Sequence, residues 1–430
     1  MAVRLDGTGP EFEQRFAELL GAKREVSQDV DDVVRDIIAD VRARGDRALV
    51  ELSSRFDKVD LDTAGIRVAH EDIEAAANGI DAETRAALEF AHERITAHHQ
   101  RQLPKDERYT DALGVELGWR WNAIQAVGLY VPGGSAAYPS SVLMNAVPAR
   151  VAGVERVVMV VPSPGGIINP LVLAAARLAG VDEIYRVGGA QAIAALAHGT
   201  ETIKPVAKIV GPGNAFVAAA KRQVFGTVGI DMIAGPSEVL VIADGDNDPE
   251  WIAADLLAQA EHDAAAQSIL ITDDAALADA VDEAVARQLQ RLPRRDIAEK
   301  SWRDFGAIIV LRSLDDAPAL ANRIAAEHVE LAVAAPDALA ERIHNAGAIF
   351  LGRHTPEVIG DYVGGSNHVL PTARSARFSS GLSVLDFVKR SSMLKLGPEQ
   401  LRALAPAAIR LAEAEGLDAH ARSVSLRLNL

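Results

Sequence analysis

Gln259 and His262 lie three residues apart, at the end of the segment 249–262, whose pattern predicts a helix. The start of that helix is well marked, because Asp248 can cap it and Pro249 suits its first turn. Side chains three residues apart share one helix face, so an imidazole nitrogen and an amide oxygen could bind one metal ion. A capping histidine or a buried core histidine is the alternative.

Glu327 and His328 directly precede the apolar run 329–333, which resembles a strand. Burying an unpaired ionisable pair costs free energy, so a pair at this position is a candidate for catalysis. An imidazole with a pKa of ~6.5 is the natural general base at neutral pH. A hydrogen-bonded histidine at the end of a strand is the alternative.

Two further polar clusters contain candidate ligands. Asp361 and His368 belong to the segment 361–372, where a glycine pair and a proline predict an ordered loop. Either side chain could bind a metal ion or a substrate, or be an ordinary surface group. Glu415 and His420 flank a glycine between two predicted helices, and solvated surface charge is the default interpretation of that pair.

Two glycine turns follow predicted strands and open predicted helices: Gly188-Gly189 and Gly211-Pro212-Gly213-Asn214. The second turn resembles the beginning of a dinucleotide fingerprint, except that Phe216 replaces the third glycine. Helix N-termini after such turns favour phosphate, so both turns are candidate cofactor contacts.

The histidine-rich segment 92–99 has the composition of a metal site but not its spacing. His92, His98 and His99 do not form the H-E-x-x-H pattern of zinc proteases. The segment has the pattern of a charged amphipathic helix, so we predict that these histidines lie on the surface.

Alternating strands and helices must position these residues. The first hundred residues are predicted to be helical, and from about residue 119 short β-branched runs alternate with Ala-rich helices. The predicted strands are 156–161, 183–187, 208–210, 239–243, 268–272, 307–311 and 331–334. This alternation is typical of parallel α/β layers, here in two halves that suggest paired nucleotide-fold-like domains. After Phe378 the pattern becomes mainly helical, and we expect that tail to pack on another subunit.

Composition narrows the function classes. The chain has 430 residues and no cysteine, which excludes disulfides, thiolate zinc sites, iron–sulfur clusters and a thiolate nucleophile. A net charge of −16 disfavours nucleic acids and anionic membranes as partners. No signal peptide is evident at residues 1–9, and proline and glycine interrupt the long uncharged stretches 123–149 and 157–176. We therefore expect a soluble, cytoplasmic protein.

The segment 230–239, Ile-Asp-Met-Ile-Ala-Gly-Pro-Ser-Glu-Val, together with the run 259–262, Gln-Ala-Glu-His, resembles the signature of the histidinol dehydrogenase family. The other clusters fall where that family would have them, including Tyr130-Val131-Pro132-Gly133-Gly134. The resemblance covers nearly the whole chain.

That resemblance assigns roles residue by residue. It implies a zinc ion bound by Gln259, His262, Asp361 and His420. It implies catalysis by Glu327 and His328. It implies substrate contacts from Ser237, Gln259, His262, His328, Asp361, His368, Glu415 and His420. The residues that match the family's NAD contacts are Tyr130, Gln191 and Asn214.

The implied fold is α/β, with two incomplete Rossmann-like domains in an architecture similar to that of aldehyde dehydrogenases and with small helical dimerisation segments. The predicted parts are an N-terminal helical segment 1–24, a first α/β domain of 25–128 and 238–323, a second of 129–237 and 324–380, and a C-terminal dimerisation segment 381–430. In the family, Glu415 and His420 reach the partner subunit's site, which implies a homodimer with shared sites.

The implied reaction oxidises L-histidinol through L-histidinaldehyde to L-histidine, the end of histidine biosynthesis, with two NAD and one water. His328 would accept the hydroxyl proton, and Glu327 would activate water. Enzymes of the aldehyde dehydrogenase architecture normally capture the aldehyde on a thiolate. Since this chain has no cysteine, the second oxidation is expected to pass through the aldehyde hydrate.

Three other functions are open. A relative on the same scaffold could oxidise another amino alcohol or a diol, although Glu415, His420 and His368 favour a substrate that carries an imidazole. A zinc hydrolase would use His262, Asp361 and His420 without NAD, and the two glycine turns argue against it. A binding or scaffold protein would leave the clusters of ionisable groups unexplained.

Overall fold

A computed structural model describes residues 2–21, 28–133, 138–233 and 235–429. Gly134 and Ala234 of the quoted motifs, and the predicted boundary between residues 24 and 25, lie outside the described residues. The strands are β1 Val3–Asp6, β2 Glu107–Thr110, β3 Glu116–Ala123, β4 Ala126–Tyr130, β5 Arg156–Val160, β6 Glu183–Tyr185, β7 Lys208–Val210, β8 Gly229–Ile230, β9 Glu238–Ala243, β10 Gln267–Thr272, β11 Ala307–Val310, β12 His328–Ala332, β13 Ala348–Leu351 and β14 Val388–Lys395.

The helices connect these strands and cover the sheets. They are α1 Phe12–Gly21, α2 Gln28–Arg44, α3 Asp46–Phe56, α4 Leu61–Ala64, α5 His70–Gly79, α6 Ala82–Gln100, α7 Pro139–Val151, α8 Pro170–Leu178, α9 Gly189–His198, α10 Ala215–Val224, α11 Pro249–Ala260, α12 Ala275–Leu289, α13 Arg295–Phe305, α14 Ala317–Ile324, α15 Pro336–Ala340, α16 Glu357–Tyr362, α17 Pro398–Ala414 and α18 Asp418–Ser425. In the described part of the chain, no helix is both long and apolar enough to span a membrane.

The first sheet is parallel, with the strand order β6-β5-β4-β7-β8. Along the chain this is the order 3-2-1-4-5, which is the Rossmann order without its sixth strand. Both faces are covered: Val158 and Val160 of β5 pack toward α2, α9 and α10, whereas Val157 and Met159 pack toward α6, α7 and α8. Alternation along the strand places successive side chains on opposite faces, so one short apolar run contributes to two cores.

The second sheet repeats this order. Its strands run β1-β11-β10-β9-β12-β13, all parallel, and without β1 they again follow 3-2-1-4-5 along the chain. Leu240 and Ile242 face one core, and Val239 and Val241 face the other, beneath α11, α12 and α13. The predicted fold class, α/β with two incomplete Rossmann-like layers, is confirmed.

The predicted assignment of segments to the two domains is wrong. Residues 238–323 form one sheet with strands from 324–380, because β9 pairs directly with β12. Helices from residues 25–128 cover the first sheet, whose strands lie between residues 126 and 230. The N-terminal segment 1–24 supplies β1, an edge strand of the second sheet. Strands pair with their neighbours along the chain because short connections are favoured, so the chain does not cross between the domains where we expected.

The tail is not purely helical after Phe378. Strand β14 pairs antiparallel with β3 over its full length, from Val388 opposite Ala123 to Lys395 opposite Glu116. This sheet, β14-β3-β2, is largely exposed, so its strands lack the apolar alternation that would have revealed them. Helices α17 and α18 follow it.

The prediction of surface histidines is wrong for His99, although His98 is exposed. His99 is buried on α6, with Nδ1 2.7 Å from the carbonyl oxygen of Ile95. The carbonyl can only accept, so Nδ1 carries the proton, and the amide of Asn367 then donates to Nε2 across 3.3 Å. His99 thereby fastens helix α6 to the loop that follows α16 and carries Asn367 and His368. The predicted loop 361–372 is wrong at its start, because Asp361 belongs to α16.

Candidate active site

A cleft of about 540 Å³ lies between the carboxyl ends of the first sheet's strands and the amino ends of the second sheet's strands. Gly211 and Asp231 follow β7 and β8, whereas His328 is the first residue of β12. The predicted site residues that line this cleft are Asn214, Ser237, Gln259, His262, Glu327, His328, Asp361 and His368. Residues far apart in sequence therefore meet at one interface between two sheets.

A second cavity of about 380 Å³ adjoins the first, and both are lined by Gly213 and Asn214. Tyr130 and Gln191, the other two predicted NAD contacts, line this second cavity. It also contains the aromatic side chains of Phe56 and Phe216, both partly exposed, and the carboxyl group of Asp57. Within the described residues, Oδ2 of Asp57 is buried without a hydrogen-bond partner.

Two of the predicted NAD contacts also stabilise the fold. The Tyr130 hydroxyl accepts a hydrogen bond from the N–H of Gly189 at 3.1 Å, and burial raises the pKa of Tyr130 to about 12. The Asn214 side chain caps α10 by accepting from the N–H groups of Phe216 and Val217, at 3.1 and 3.2 Å. Both polar side chains are thus held rigidly at helix N-termini that open on the second cavity.

A buried ion pair fixes the glycine turn between the two cavities. Lys221 and Asp231 form this pair, and their side chains are only 2% and 1% exposed. Lys221 donates to the carbonyl of Gly211 at 3.0 Å, and the N–H of Gly211 donates to Asp231 at 2.7 Å. Gly211 has a φ of 109°, and a side chain there would collide with the carbonyl oxygen of Tyr130. Sequence reasoning did not name Lys221, and it quoted Asp231 only within the segment 230–239, without a role.

The imidazole of His328 is buried at the floor of the cleft, with Nδ1 3.2 Å from the carbonyl oxygen of Glu238. Because a carbonyl only accepts, Nδ1 carries the proton. Nε2 lies on the other edge of the ring, 3.4 Å from Oδ1 of Asp361. This tautomer leaves Nε2 as the nitrogen that can exchange a proton at the cleft.

Three acidic side chains surround that imidazole. Nδ1 lies 3.9 Å from Glu327 and 3.6 Å from Glu357, and Asp361 faces Nε2. Burial alone would lower the pKa of His328, but the three carboxylates outweigh it and raise the pKa to about 10. Burial also raises the pKa of Glu327, whose carboxylate accepts the N–H of Glu238 at 3.1 Å, and raises that of Glu357 to about 8.

Three of the predicted zinc ligands line the cleft together: Gln259, His262 and Asp361. The Gln259 side chain is buried, and its Nε2 has no hydrogen-bond partner among the described residues. The buried amide is therefore available to a group in the cleft, and its oxygen with the imidazole and carboxylate makes a donor set suited to zinc. His368 borders this set, with Nδ1 2.9 Å from the carbonyl oxygen of Asp361.

The fourth predicted ligand is elsewhere. His420 lies on α18 and Glu415 follows α17; both are exposed, and neither is among the described residues that line the two cavities. Accordingly, no group of three or more His, Cys, Asp or Glu side chains in the described ranges is arranged to hold a metal ion. One copy of the chain brings together only part of the predicted site.

Sequence reasoning missed an acidic cluster behind His328, formed by the buried Glu357 and Glu330 and the half-buried Asp255. A signal existed for Glu330, because it follows His328 by two residues on a strand and so shares its face. Glu357 lies 29 residues beyond His328, and no local pattern connects the two.

Comparisons with known proteins agree with the motifs. A family model described as histidinol dehydrogenase matches residues 21–428. The histidinol dehydrogenase of Mesorhizobium japonicum is 73% identical over 430 residues, and that of Brucella suis biovar 1 is 70% identical, each covering 100% of both chains. The crystal structure of histidinol dehydrogenase from Elizabethkingia anophelis has a TM-score of 0.95 at 37% identity, over 100% of this chain and 98% of that one.

Proposed function

Since the chain belongs to the histidinol dehydrogenase family, we propose that it is a zinc-dependent, NAD-linked cytoplasmic enzyme that oxidises L-histidinol through L-histidinaldehyde to L-histidine. The observation that carries this proposal is the contact between the two cavities. The cleft contains a buried imidazole and predicted metal ligands, and it adjoins the aromatic cavity at Gly213 and Asn214. A substrate and a dinucleotide can therefore meet at this junction.

The second cavity suits NAD. The rings of Phe56 and Phe216 offer apolar surfaces to a base, and the carboxylate of Asp57 can accept hydrogen bonds from ribose hydroxyls. The N-termini of α9 and α10 border this cavity, and their positive dipole ends favour phosphates. NAD, when bound, accepts a hydride in each of the two oxidations.

In the first oxidation, Nε2 of His328 accepts the hydroxyl proton of histidinol as the hydride leaves the carbinol carbon, which yields the aldehyde. The Nδ1–H bond to the carbonyl of Glu238 supports this role, because it keeps Nε2 as the reactive nitrogen. The three acidic groups stabilise the positive charge that the ring gains. They also raise the pKa of the ring to about 10, and a zinc ion bound at Asp361 would lower that pKa by opposing their field, which would leave Nε2 free to accept a proton near neutral pH.

In the second oxidation, Glu327 accepts a proton from water as the water oxygen adds to the aldehyde carbon. His328 returns the proton of the first oxidation to the former carbonyl oxygen, which gives the hydrate and leaves Nε2 free again. His328 then takes a hydroxyl proton of the resulting hydrate while the second hydride leaves, and the product is the acid. The absence of cysteine supports a hydrate, since the chain has no thiolate that could capture the aldehyde. Burial of Glu327 raises the pKa of its carboxyl group, which makes it a better proton acceptor when ionised.

Gln259, His262 and Asp361 would bind zinc from one subunit, and a second copy of the chain would supply His420 and Glu415. The exposure of His420 on α18 and of Glu415 just after α17 supports a homodimer with shared sites, because both side chains are accessible to a second copy of the chain. Zinc, when bound, supplies positive charge that orients the substrate and offsets part of the carboxylate field around His328. Ser237 and His368 line the cleft as further substrate contacts.

The decisive test is NADH formation from L-histidinol by the zinc-loaded protein, with and without a chelator. We expect about two NADH per histidinol consumed and loss of turnover after chelation, with recovery on adding zinc. An amino alcohol without an imidazole is the matched substrate control, and we expect it to react far more slowly. The proposal fails if the zinc-loaded protein does not turn over histidinol.

A further inference from the structure

Helix α16 holds the catalytic imidazole from both edges. Glu357 is its first residue and Asp361 its fifth, so the two carboxyl groups project from the same face one turn apart. Oε2 of Glu357 lies 3.6 Å from Nδ1 of His328, and Oδ1 of Asp361 lies 3.4 Å from Nε2. One short helix therefore places an acidic group on each side of the ring.

Among the described residues, His328 is the one basic group within ion-pair distance of Glu357. The side chain of Glu357 is 2% exposed, and Oε2 makes no hydrogen bond to any described residue. Burying an unpaired carboxylate is expensive, so the imidazole is the group that compensates it. The ring of Phe350 packs near His328, with centroids 6.0 Å apart, and closes the apolar side of this pocket.

The position of Glu357 is itself fixed by the strand that carries His328. Oε1 of Glu330, two residues farther along β12, accepts the N–H of Glu357 at 2.5 Å. Asp255 on α11 shares a side-chain hydrogen bond with Glu330, which requires a proton between the two carboxyl groups. Strand β12 thus holds both the imidazole and the start of the helix that flanks it.

We propose that Glu357 is a positioning residue for His328. Its carboxyl group lies 3.6 Å from Nδ1, whose proton is donated to the carbonyl of Glu238, and it stabilises the positive charge that the ring gains when Nε2 accepts the hydroxyl proton. This inference rests on the proposed function, because it requires His328 to be the base. Carboxylates that support a metal-bound histidine are typically worth ~10–100-fold in activity, and we expect a loss in the same range for a carboxyl group beside the base.

The test is Glu357→Gln, which keeps the size of the side chain and an acceptor oxygen but removes the charge. Glu341→Gln, on the exposed surface, is the matched control. We expect kcat to fall ~10–100-fold in Glu357→Gln, with KM for histidinol and NAD within about two-fold of wild type. The isotope effect on kcat with carbinol-deuterated histidinol should rise, because a weaker base slows hydride loss. Zinc content should equal that of the control.

A wild-type kcat in Glu357→Gln would overturn the inference, as would a loss of zinc that accounts for the whole fall in kcat. If Glu357→Gln does not fold, Glu357→Asp decides, since it keeps a charge but retracts it by one methylene. A folded Glu357→Asp enzyme with reduced kcat and unchanged KM supports the inference, and an unchanged kcat overturns it. A wild-type enzyme that does not oxidise histidinol would instead refute the proposed function, and this inference with it.

Discussion

The two parallel sheets have the same strand order, 3-2-1-4-5, yet they face the cleft with opposite ends of their strands. The first sheet presents the carboxyl ends of its strands, where Tyr130 ends β4 and Gly211 follows β7. The second presents amino ends, where Glu238 begins β9 and His328 begins β12. Ligands of open α/β sheets usually bind beyond the carboxyl ends, at the point where the strand order reverses. Only the first sheet follows that rule.

The second sheet breaks the rule because its own side chains occupy the expected crevice. At the carboxyl ends of β9 and β12, Asp244 accepts hydrogen bonds from Arg353 at 2.5 Å and from the N–H of Ala334 at 2.8 Å. Asn247 donates to the carbonyl of Ala332 at 2.6 Å across the same gap. These contacts fill the space beyond the carboxyl ends of β9 and β12. The acidic and histidine side chains of the site lie at the amino ends of the same strands. The same topology therefore serves two chemical tasks, and the side chains at the strand ends, not the strand order, decide where the site lies.

The largest effect on activity is expected at the amino ends of the second sheet's strands, where His328 begins β12. His328→Asn removes the base, so kcat should fall ~10²–10⁴-fold for both histidinol and histidinaldehyde oxidation. The exposed His344→Asn serves as the control and should keep wild-type rates. Steady-state NADH formation from each substrate measures the effect. A fall in kcat of less than a few-fold would show that His328 is not the base.

Glu327→Gln separates the role of Glu327 from that of His328 in the two oxidations. We expect the oxidation of histidinaldehyde to fall ~10²–10⁴-fold, because water is no longer activated, while the oxidation of histidinol to the aldehyde is largely kept. Rapid-quench analysis of aldehyde and acid separates the two steps. Equal losses in both half-reactions would contradict the role of Glu327.

The C-terminal segment with His420 offers a test of whether the site is complete within one chain. Mixing inactive His328→Asn with inactive His420→Ala protein should restore about a quarter of wild-type activity, if subunits pair at random and each site combines both chains. Each variant exchanged with itself is the control. Failure to recover activity after subunit exchange has been verified would rule out a shared site.

At the carboxyl ends of the first sheet's strands, we expect the loss of the Lys221–Asp231 ion pair to lower the stability of the fold. Lys221→Met leaves Asp231 buried without its partner, so the free energy of unfolding should fall by about 3–5 kcal/mol. Lys389→Met, at an exposed position, should stay within about 0.5 kcal/mol of wild type. Denaturant unfolding measures both. Equal stability of the two variants would show that the ion pair does not hold the Gly211 turn.

The smallest effect is expected in the aromatic cavity. Phe56→Ala should raise KM for NAD by about 2- to 10-fold and leave KM for histidinol unchanged, because an aromatic contact is worth ~0.5–1.5 kcal/mol. Phe378→Ala, a highly exposed ring outside both cavities, is the control. A change in KM for histidinol alone would assign this cavity to the other substrate.

Local features were readable from the sequence. Asp248 caps α11 with Pro249 in its first turn, as predicted, and the strand 208–210 has the predicted bounds. These signals depend on neighbours within a few residues, where hydrogen bonding and side-chain periodicity decide the conformation. Strand β14 escaped prediction because its sheet is exposed and carries no apolar alternation.

Long-range pairing decided the rest. Sequence analysis and the family resemblance pointed to eight residues that line the cleft, since each belongs to a short, distinctive motif, and their roles stay predictions. The tertiary structure decided which strands share a sheet and which ends of those strands face the cleft. It also brought Glu357 next to His328 and paired Lys221 with Asp231 beside the site. Contacts such as Glu357 with His328 join residues 29 positions apart. Their energy comes from burial and charge compensation in the folded state, and no local pattern of residue types records it.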